Sequence, residues 1–472
     1  MRGHFRRKRR VASGRLQGPP GKRPLSASSP ASPSTSTRRE LLSLAWPIAA
    51  AMLGETALGL VDTKIVGALG AKALGGVGFG TTLMYLFYAL SFGMMRGVKV
   101  RTSHAVGQGK AQRGFAYARA GVLLGASYGL VIAFLMRDMG GFLRFLGADE
   151  ALIPYAADFL RALSWGAPAT CAQGALIQHR QATGDARTTM IVGLSSNLFN
   201  GVLAYLLVYG HLGLPGLGVA GAGYATALTQ GLGLVVMGAL FLRDERREKI
   251  RRGPGLGEAI REVSGLGLPT GLQFAAEVLA FTAFTAILGA LGSEQIAASQ
   301  IAMAVIRVSF LPGVAVAEAT SVLVGRALGR KDLPEADRVT RAGLVTAMSF
   351  MAICGVLFAL GGRELGRFFT SDEAVSSTVT RLLWVAAVFQ ILDAVNIVLR
   401  GALRGAKDVR LVALFGIAIV WISIPGSALV LGRWLGMGAF GAWLGFVAET
   451  ALASVIFWLR WTRGGWRRAY TM

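Results

Sequence analysis

Residues 41–70 read LLSLAWPIAAAMLGETALGLVDTKIVGALG, and residues 263–292 read VSGLGLPTGLQFAAEVLAFTAFTAILGALG. At an offset of 222 residues, Pro47 falls on Pro269, Glu55 on Glu277, and Gly67-Ala68-Leu69-Gly70 on Gly289-Ala290-Leu291-Gly292. Each stretch is apolar for longer than the roughly 20 residues that cross a bilayer, yet each carries a carboxylate inside. The same offset continues without a gap through Gly107 and Gly329 and through Arg119-Ala120-Gly121 and Arg341-Ala342-Gly343. Further on, Asp185-Ala186-Arg187 echoes Asp408-Val409-Arg410, and Gly218 and Gly221-Ala222 match Gly438 and Gly441-Ala442 after small shifts. The chain reads as a duplicated membrane-spanning unit.

Composition agrees. Of 472 residues, 53% are hydrophobic and 16% charged, with a mean hydropathy of +0.53. An ordinary soluble domain is about a quarter charged. The apolar runs are continuous rather than alternating, which argues against a transmembrane β-barrel. Twelve spans follow, near 41–67, 77–105, 115–136, 154–179, 188–210, 219–242, 259–290, 295–325, 339–362, 378–403, 410–432 and 437–460. The expected fold is therefore all-α: twelve transmembrane helices in two pseudo-symmetric six-helix lobes. Residues 40–242 form an N-lobe and 258–462 a C-lobe, joined by a charged cytoplasmic linker at 243–257. Six spans per lobe bring both lobes into the membrane from one side, as parallel repeats about an axis along the membrane normal.

The net charge of +24 is uneven: residues 1–39 hold eleven Lys and Arg and no acid. That segment, rich in Ser and Pro and without an apolar core, is expected to be a disordered cytoplasmic tail rather than a signal peptide. Residues 463–472 form a second basic tail. Loops on the side of the termini carry twenty Lys and Arg against six opposite. The positive-inside rule then puts both termini in the cytoplasm, in a multi-pass protein of the inner (plasma) membrane. A basic surplus of this kind fits loops beside anionic lipid, with no nucleic-acid partner expected.

Acids inside apolar spans are costly, at least ~2.5–3.5 kcal/mol at the bilayer centre, and face protein or water when they persist. Glu55 and Asp62 are seven apart and share one face of the first span. Glu277 in the seventh span follows Gln273 by a turn and precedes Phe281 and Phe284 on the same side. A carboxylate flanked by rings could hold a cationic amphiphile, though an aromatic stripe is also ordinary packing. In the tenth span Gln390, Asp393 and Asn396 make a polar stripe, and Arg400 could neutralise Asp393. Asn197 and Asn200 share a face of the fifth span, where amides coordinate an ion or bridge helices. Each acid reads either as a cation or proton site or as half of a structural ion pair. Arg96 and its repeat counterpart Glu318 form a gate between the lobes, or each pairs within its own lobe. Lys99, near a span end, can snorkel.

No GxxxxGK[ST], HExxH or GxSxG motif occurs, so neither ATP-driven export within this chain nor an enzyme is expected. The two cysteines, Cys171 and Cys354, and four scattered histidines suggest no disulfide framework and no metal site.

Three blocks now carry a resemblance: LAWPIAAAMLGETALGLVDTKIVGALGAKALGGVGFG (44–80), GLPTGLQFAAEVLAFTAFTAILGALGSEQIAASQIAMAVIRVSFLPGVAVAEATSVLVGRALG (267–329) and FQILDAVNIVLRGALRGAKDVR (389–410). The chain resembles the multidrug and toxic compound extrusion (MATE) family, nearest its NorM-type branch, over about residues 40–460. The resemblance implies a V-shaped pair of lobes and secondary active efflux of organic, cationic amphiphilic compounds in exchange for H⁺ or Na⁺, by alternating access and with no other cofactor. The family's first-span, seventh-span and tenth-span acids match Asp62, Glu277 and Asp393, and its fifth-span asparagines match Asn197 and Asn200. The branch commonly has Gln where Glu55 stands, so Glu55 is a further candidate for cation or proton binding. Gln273, Phe281, Phe284 and Gln390 join the asparagines as candidate substrate contacts. The lipid bilayer and small organic substrates are the expected partners, and the protein is expected to act as a monomer. The competing expectation is a flippase or exporter of a lipid-linked or secondary-metabolite substrate, for which Arg96, Lys99 and Arg307 would supply positive charge.

Overall fold

The computed structural model describes residues 35–145, 147–248 and 254–468. Most of the N-terminal tail, part of the inter-lobe linker and the end of the C-terminal tail lie outside the described residues. Those described are almost wholly helical. The first repeat comprises α1 (Thr35–Gly67), α2 (Ala71–Gly107), α3 (Gln112–Leu135), the short α4 (Gly140–Phe145), α5 (Ile153–Ser164), α6 (Ala167–Thr183), α7 (Ala186–Tyr209) and α8 (Gly218–Arg247). The second comprises α9 (Leu256–Ala290), α10 (Ser293–Gly329), α11 (Leu333–Phe369), α12 (Glu373–Gly405), α13 (Val409–Ser427), which runs on into a wide π-type turn, and α14 (Gly438–Thr462). Helix α1 starts five residues inside the segment expected to be a disordered tail, and Thr37 within it is buried and donates to Glu335 of α11 at 3.3 Å.

Eleven of these helices are long and apolar enough to cross a membrane. The twelfth crossing, expected as one helix, is delivered by α5 and α6 in series. The chain breaks at Trp165-Gly166 because Pro168, lacking an N–H, cannot continue the α5 ladder. Gly166 is also pressed on α8, where a Cβ would sit 2.6 Å from the Cα of Ala227.

The distribution of cores defines the shape. Each lobe has a private core in the half away from the termini. In the N-lobe it is built around Met84, Ile132, Leu160 and Val208; in the C-lobe around Phe284, Leu382, Trp443 and Phe446. Towards the termini the cores are shared. Leu41, Leu44, Ala45 and Ile48 of α1 belong to the C-lobe core that contains Leu323, Leu403 and Trp461. Ala259 and Val263 of α9 complete an N-lobe core around Met95, Val98 and Phe241. The lobes are thus sealed on the side of the termini and parted on the other, leaving a cleft that opens away from the tails.

Small residues make the seal. A Cβ on Gly93 of α2 would meet the Cα of Gly271 of α9 at 2.5 Å, and Gly97 abuts Gly267 one turn further on. Such stripes let membrane helices approach backbone to backbone. Repeat counterparts Gly107 and Gly329 meet at the end of α2 and α10, beside the pseudo-symmetry axis. Polar contacts close the rim: His104 Nε2 lies 2.8 Å from the Gly405 carbonyl, and Arg326 Nη2 donates to the Ala182 carbonyl at 2.8 Å.

Candidate functional site

Three polar groups sit where the apolar helices would otherwise offer only hydrocarbon. The first lies in the N-lobe, between α1, α7 and α8. Val61 of α1 packs against Gly201 of α7 at 3.6 Å from its would-be Cβ, which sets Asp62 at the depth of Asn200. Asn200 is buried and donates from Nδ2 to Thr226 Oγ1 at 3.2 Å. Asp62 Oδ1, Asn197 Nδ2 and Asn200 Oδ1 are buried and find no hydrogen-bond partner among the described residues. No ion pair among those residues takes Asp62. Unpaired buried polar atoms cost about 1–3 kcal/mol each, so this group holds hydrogen-bonding capacity that no described side chain satisfies. Thr226 escapes a reading of the sequence because a lone Thr in an apolar span is usually bonded to its own helix, as it also is here, to the Ala222 carbonyl.

The second group fills the C-lobe. Arg400 of α12 donates from Nη1 to Glu277 Oε1 of α9 at 2.6 Å, and its Nη2 lies 3.5 Å from Glu449 Oε1 of α14. Asn396, one turn before Arg400, accepts from Nη2 at 3.3 Å and donates to Glu449 at 3.4 Å. Gln273 donates to Glu277 at 2.9 Å. Asp393, 8% exposed, faces the same cluster and interacts electrostatically with Glu449, Arg400 and Glu277. Three carboxylates therefore share one guanidinium. Glu449 is not among the acids singled out from the sequence, although an acid in the run GFVAETALA (445–453) is a visible signal.

The third group joins the lobes. Arg96 Nε of α2 lies 3.1 Å from Glu318 Oε1 of α10, and Lys99 Nζ donates to Glu318 Oε2 at 2.7 Å. Arg96 and Glu318 thus pair across the interface and not within their own lobes. Lys99 does not snorkel; it is 2% exposed and bound. A void of about 10 Å³, room for a single water, is lined by Arg96, Lys99, Thr270, Glu318 and Arg404. Arg404 lies within electrostatic reach of Arg96 and Glu318 on one side and of Arg400 and Glu277 on the other, so it links this group to the C-lobe cluster.

Several expected substrate contacts are placed elsewhere. Phe284 is 1% exposed and packs edge-on against Phe446 at 5.1 Å, inside the private C-lobe core. Gln390 is fully buried and bonds Ser309, bracing α12 on α10. Gln273 is buried behind Glu277 and against Gly416. These three hold structure and offer no surface to a guest. Phe281 is half-exposed and stacks on Phe446 at 5.8 Å. Glu55 is exposed on α1, and Asn197 is partly so on α7.

A duplicated helical bundle, sealed at one end and lined by embedded carboxylates, has a counterpart among known families. The family model MatE matches residues 47–206 and 269–429, one match per repeat. The chain belongs to the MATE transporter family. Solved structures share its fold. The eukaryotic MATE transporter AtDTX14 is similar at 19% identity, with a TM-score of 0.83 over 92% of this chain and 98% of that one. A variant of the Vibrio cholerae MATE transporter VcmN aligns at 17% identity and a TM-score of 0.83, covering 93% and 99%. A MOP superfamily transporter from Pyrococcus furiosus, described as having a binding pocket of reversed polarity, aligns at 19% identity and a TM-score of 0.82, covering 92% and 96%. Within this MATE protein the matched segments contain Asp62, Asn197, Asn200, Glu277, Glu318 and Asp393. Glu449 falls beyond them.

Proposed function

We propose that this MATE protein is a secondary active exporter of the NorM-type branch that exchanges H⁺ or Na⁺ for organic, cationic amphiphilic compounds by alternating access. It would act as a monomer in the inner (plasma) membrane with both termini in the cytoplasm.

The observation that carries this reading is the charge balance of the C-lobe cluster. Asp393, Glu277 and Glu449 gather about the Arg400 guanidinium, so in this buried site carboxyl groups outnumber the base they surround three to one, and full ionisation would leave negative charge in excess. Buried charge without a partner is strongly unfavourable, and uptake of a monovalent cation or a proton relieves it. The Asp62 pocket offers a second place for such uptake. Through Arg404, a cation gained at the cluster alters the field on Glu318 and its two basic partners. A guest that binds the two lobe arrangements unequally shifts the balance between them, and the Arg96–Glu318–Lys99 contact is what must break for the sealed end to open. A lipid-linked pyrophosphate cargo is less well served, because Glu318 already occupies Arg96 and Lys99.

Proteoliposomes with an imposed H⁺ or Na⁺ gradient, varied separately, test the reading. One of the two gradients should drive dye movement, and Asp393→Asn should abolish that drive. Undiminished coupled transport in the variant would remove Asp393 from the scheme.

A further inference from the structure

Helices α13 and α14 pack unevenly along their length. In the half away from the termini they touch through small residues. A Cβ on Gly441 would sit 2.9 Å from the Leu431 carbonyl, Gly445 abuts the Ser423 carbonyl, and Ser427 Oγ donates to the Ala442 carbonyl at 3.1 Å. Towards the termini the facing residues are large, and a groove of about 290 Å³ lies between the two helices. Leu411 and Phe415, one turn apart on α13, form one wall. Ile456 and Leu459 of α14 form the other, and the buried Leu403 of α12 and Phe457 make the floor. Phe415 stands six residues past the start of α13, so the carbon lining reaches about 9 Å inward from the helix end. Leu414, Val455 and Trp458 beside it are exposed. The lobes are sealed on this side, so exposed apolar residues here meet lipid rather than the cleft.

At the rim the chemistry changes. Ile456, Arg460 and Arg463 follow one face of α14 at i, i+4 and i+7. Arg460 is committed: its Nε donates to Asp408 Oδ2 at 2.7 Å, and its Nη2 lies 3.4 Å from Oδ1. Arg463 is exposed and in no ion pair among the described residues, and so is Arg410 in the first turn of α13. The turn after Arg463 is fixed. Gly464 takes a φ of +68°, and Trp466 is buried with its ring stacked on Trp461 at 4.8 Å. An unpaired guanidinium thus stands at the mouth of an apolar groove, with a second at the neighbouring helix end.

We propose that this groove is a specific site for an anionic phospholipid of the leaflet on the side of the termini. One acyl chain lies between Leu411, Phe415 and Ile456, and the phosphate takes the fork of Arg463 through charge-assisted hydrogen bonds. Arg410 adds a second positive charge. Charge complementarity chooses the lipid class. A zwitterionic headgroup brings its own ammonium towards two unpaired arginines, whereas an anionic one brings none, and basic pockets between membrane helices hold anionic headgroups in this way. The groove also backs onto the C-lobe cluster, because the Arg400 guanidinium lies 5.8 Å over the ring of Phe457 at its floor.

The test uses the full-length protein in nanodiscs doped with phosphatidylglycerol or phosphatidylcholine, each carrying a photoactivatable diazirine in one acyl chain. Crosslinked residues are mapped by mass spectrometry. Labelling of 411–415 and 456–459 should be about tenfold stronger with phosphatidylglycerol, the scale of one hydrogen bond to a charged group. Labelling of the exposed α11 stretch 353–360 should be alike for the two lipids. Arg463→Gln should bring the groove signal of phosphatidylglycerol down to that of phosphatidylcholine and leave α11 labelling unchanged. Leu411→Trp, which fills the groove and keeps both arginines, should lower it as well. Excess inorganic phosphate should displace nothing. Equal groove labelling by the two lipids in the wild type overturns the proposal, and so does a preference that survives Arg463→Gln. Displacement by inorganic phosphate would make this a simple anion site and would equally defeat it.

Discussion

The two lobes descend from one repeat, yet their polar sites use different positions of it. Asp62 corresponds at the 222-residue offset to Phe284, a core residue, whereas Glu277 corresponds to Glu55, which is exposed and in no ion pair among the described residues. The N-lobe group sets one carboxylate near amides and a hydroxyl, with no basic ion-pair partner among the described residues. The C-lobe cluster surrounds its own counter-ion. A cation entering the N-lobe displaces nothing charged, while one entering the C-lobe competes with Arg400. Duplication supplied two matched scaffolds, and the chemistry diverged after it.

This contrast can be broken in order of expected effect. Arg400→Gln strips the C-lobe carboxylates of their shared partner and should cost about 3–5 kcal/mol, the scale of a broken buried pair, read as a fall in melting temperature in detergent. Asp62→Asn should lower the melting temperature far less, by under about 1 kcal/mol, while reducing gradient-driven transport at least about tenfold. Equal destabilisation by the two changes would erase the distinction between the lobes. Glu318→Gln should weaken the sealed end, because it leaves Arg96 and Lys99 buried without their acid. The population with tail-side label pairs at long distance, measured by electron–electron resonance, should rise about tenfold or more. Gly271→Leu should overpack the α2–α9 approach and cost about 1–3 kcal/mol of stability, whereas Gly265→Leu, with open space around it, should cost little. A modest effect is expected at Phe281: truncation to Ala removes a half-exposed ring and should change stability by under about 1.5 kcal/mol.

Much of this is legible in the residues themselves. The spans, the duplication and the acids all follow from residue chemistry and spacing, because a carboxylate in an apolar run is conspicuous and the offset needs no gap from Pro47 to Gly121 against Pro269 to Gly343. The fourth crossing is legible as a crossing but not as two helices, although Gly166 and Pro168 carry the signal. The facing of side chains is not legible. Phe284 and Gln390 sit at spacings suited to a cleft wall and turn out to be core, since spans that are apolar all round have no polar face to tell inside from outside. Glu449 escapes notice because its meaning depends on Arg400, 49 residues away.

Residue order alone determined that this chain crosses a membrane many times, that it does so twice over in the same pattern, and that carboxylates remain where the bilayer penalises them. Those features are set by local transfer free energies, which each segment carries with it. Tertiary structure alone decided which charges meet. Arg96 found Glu318 across the lobes, and Arg400 gathered acids from two other helices. Pairing is a property of helices brought together in space, and no single span holds that information.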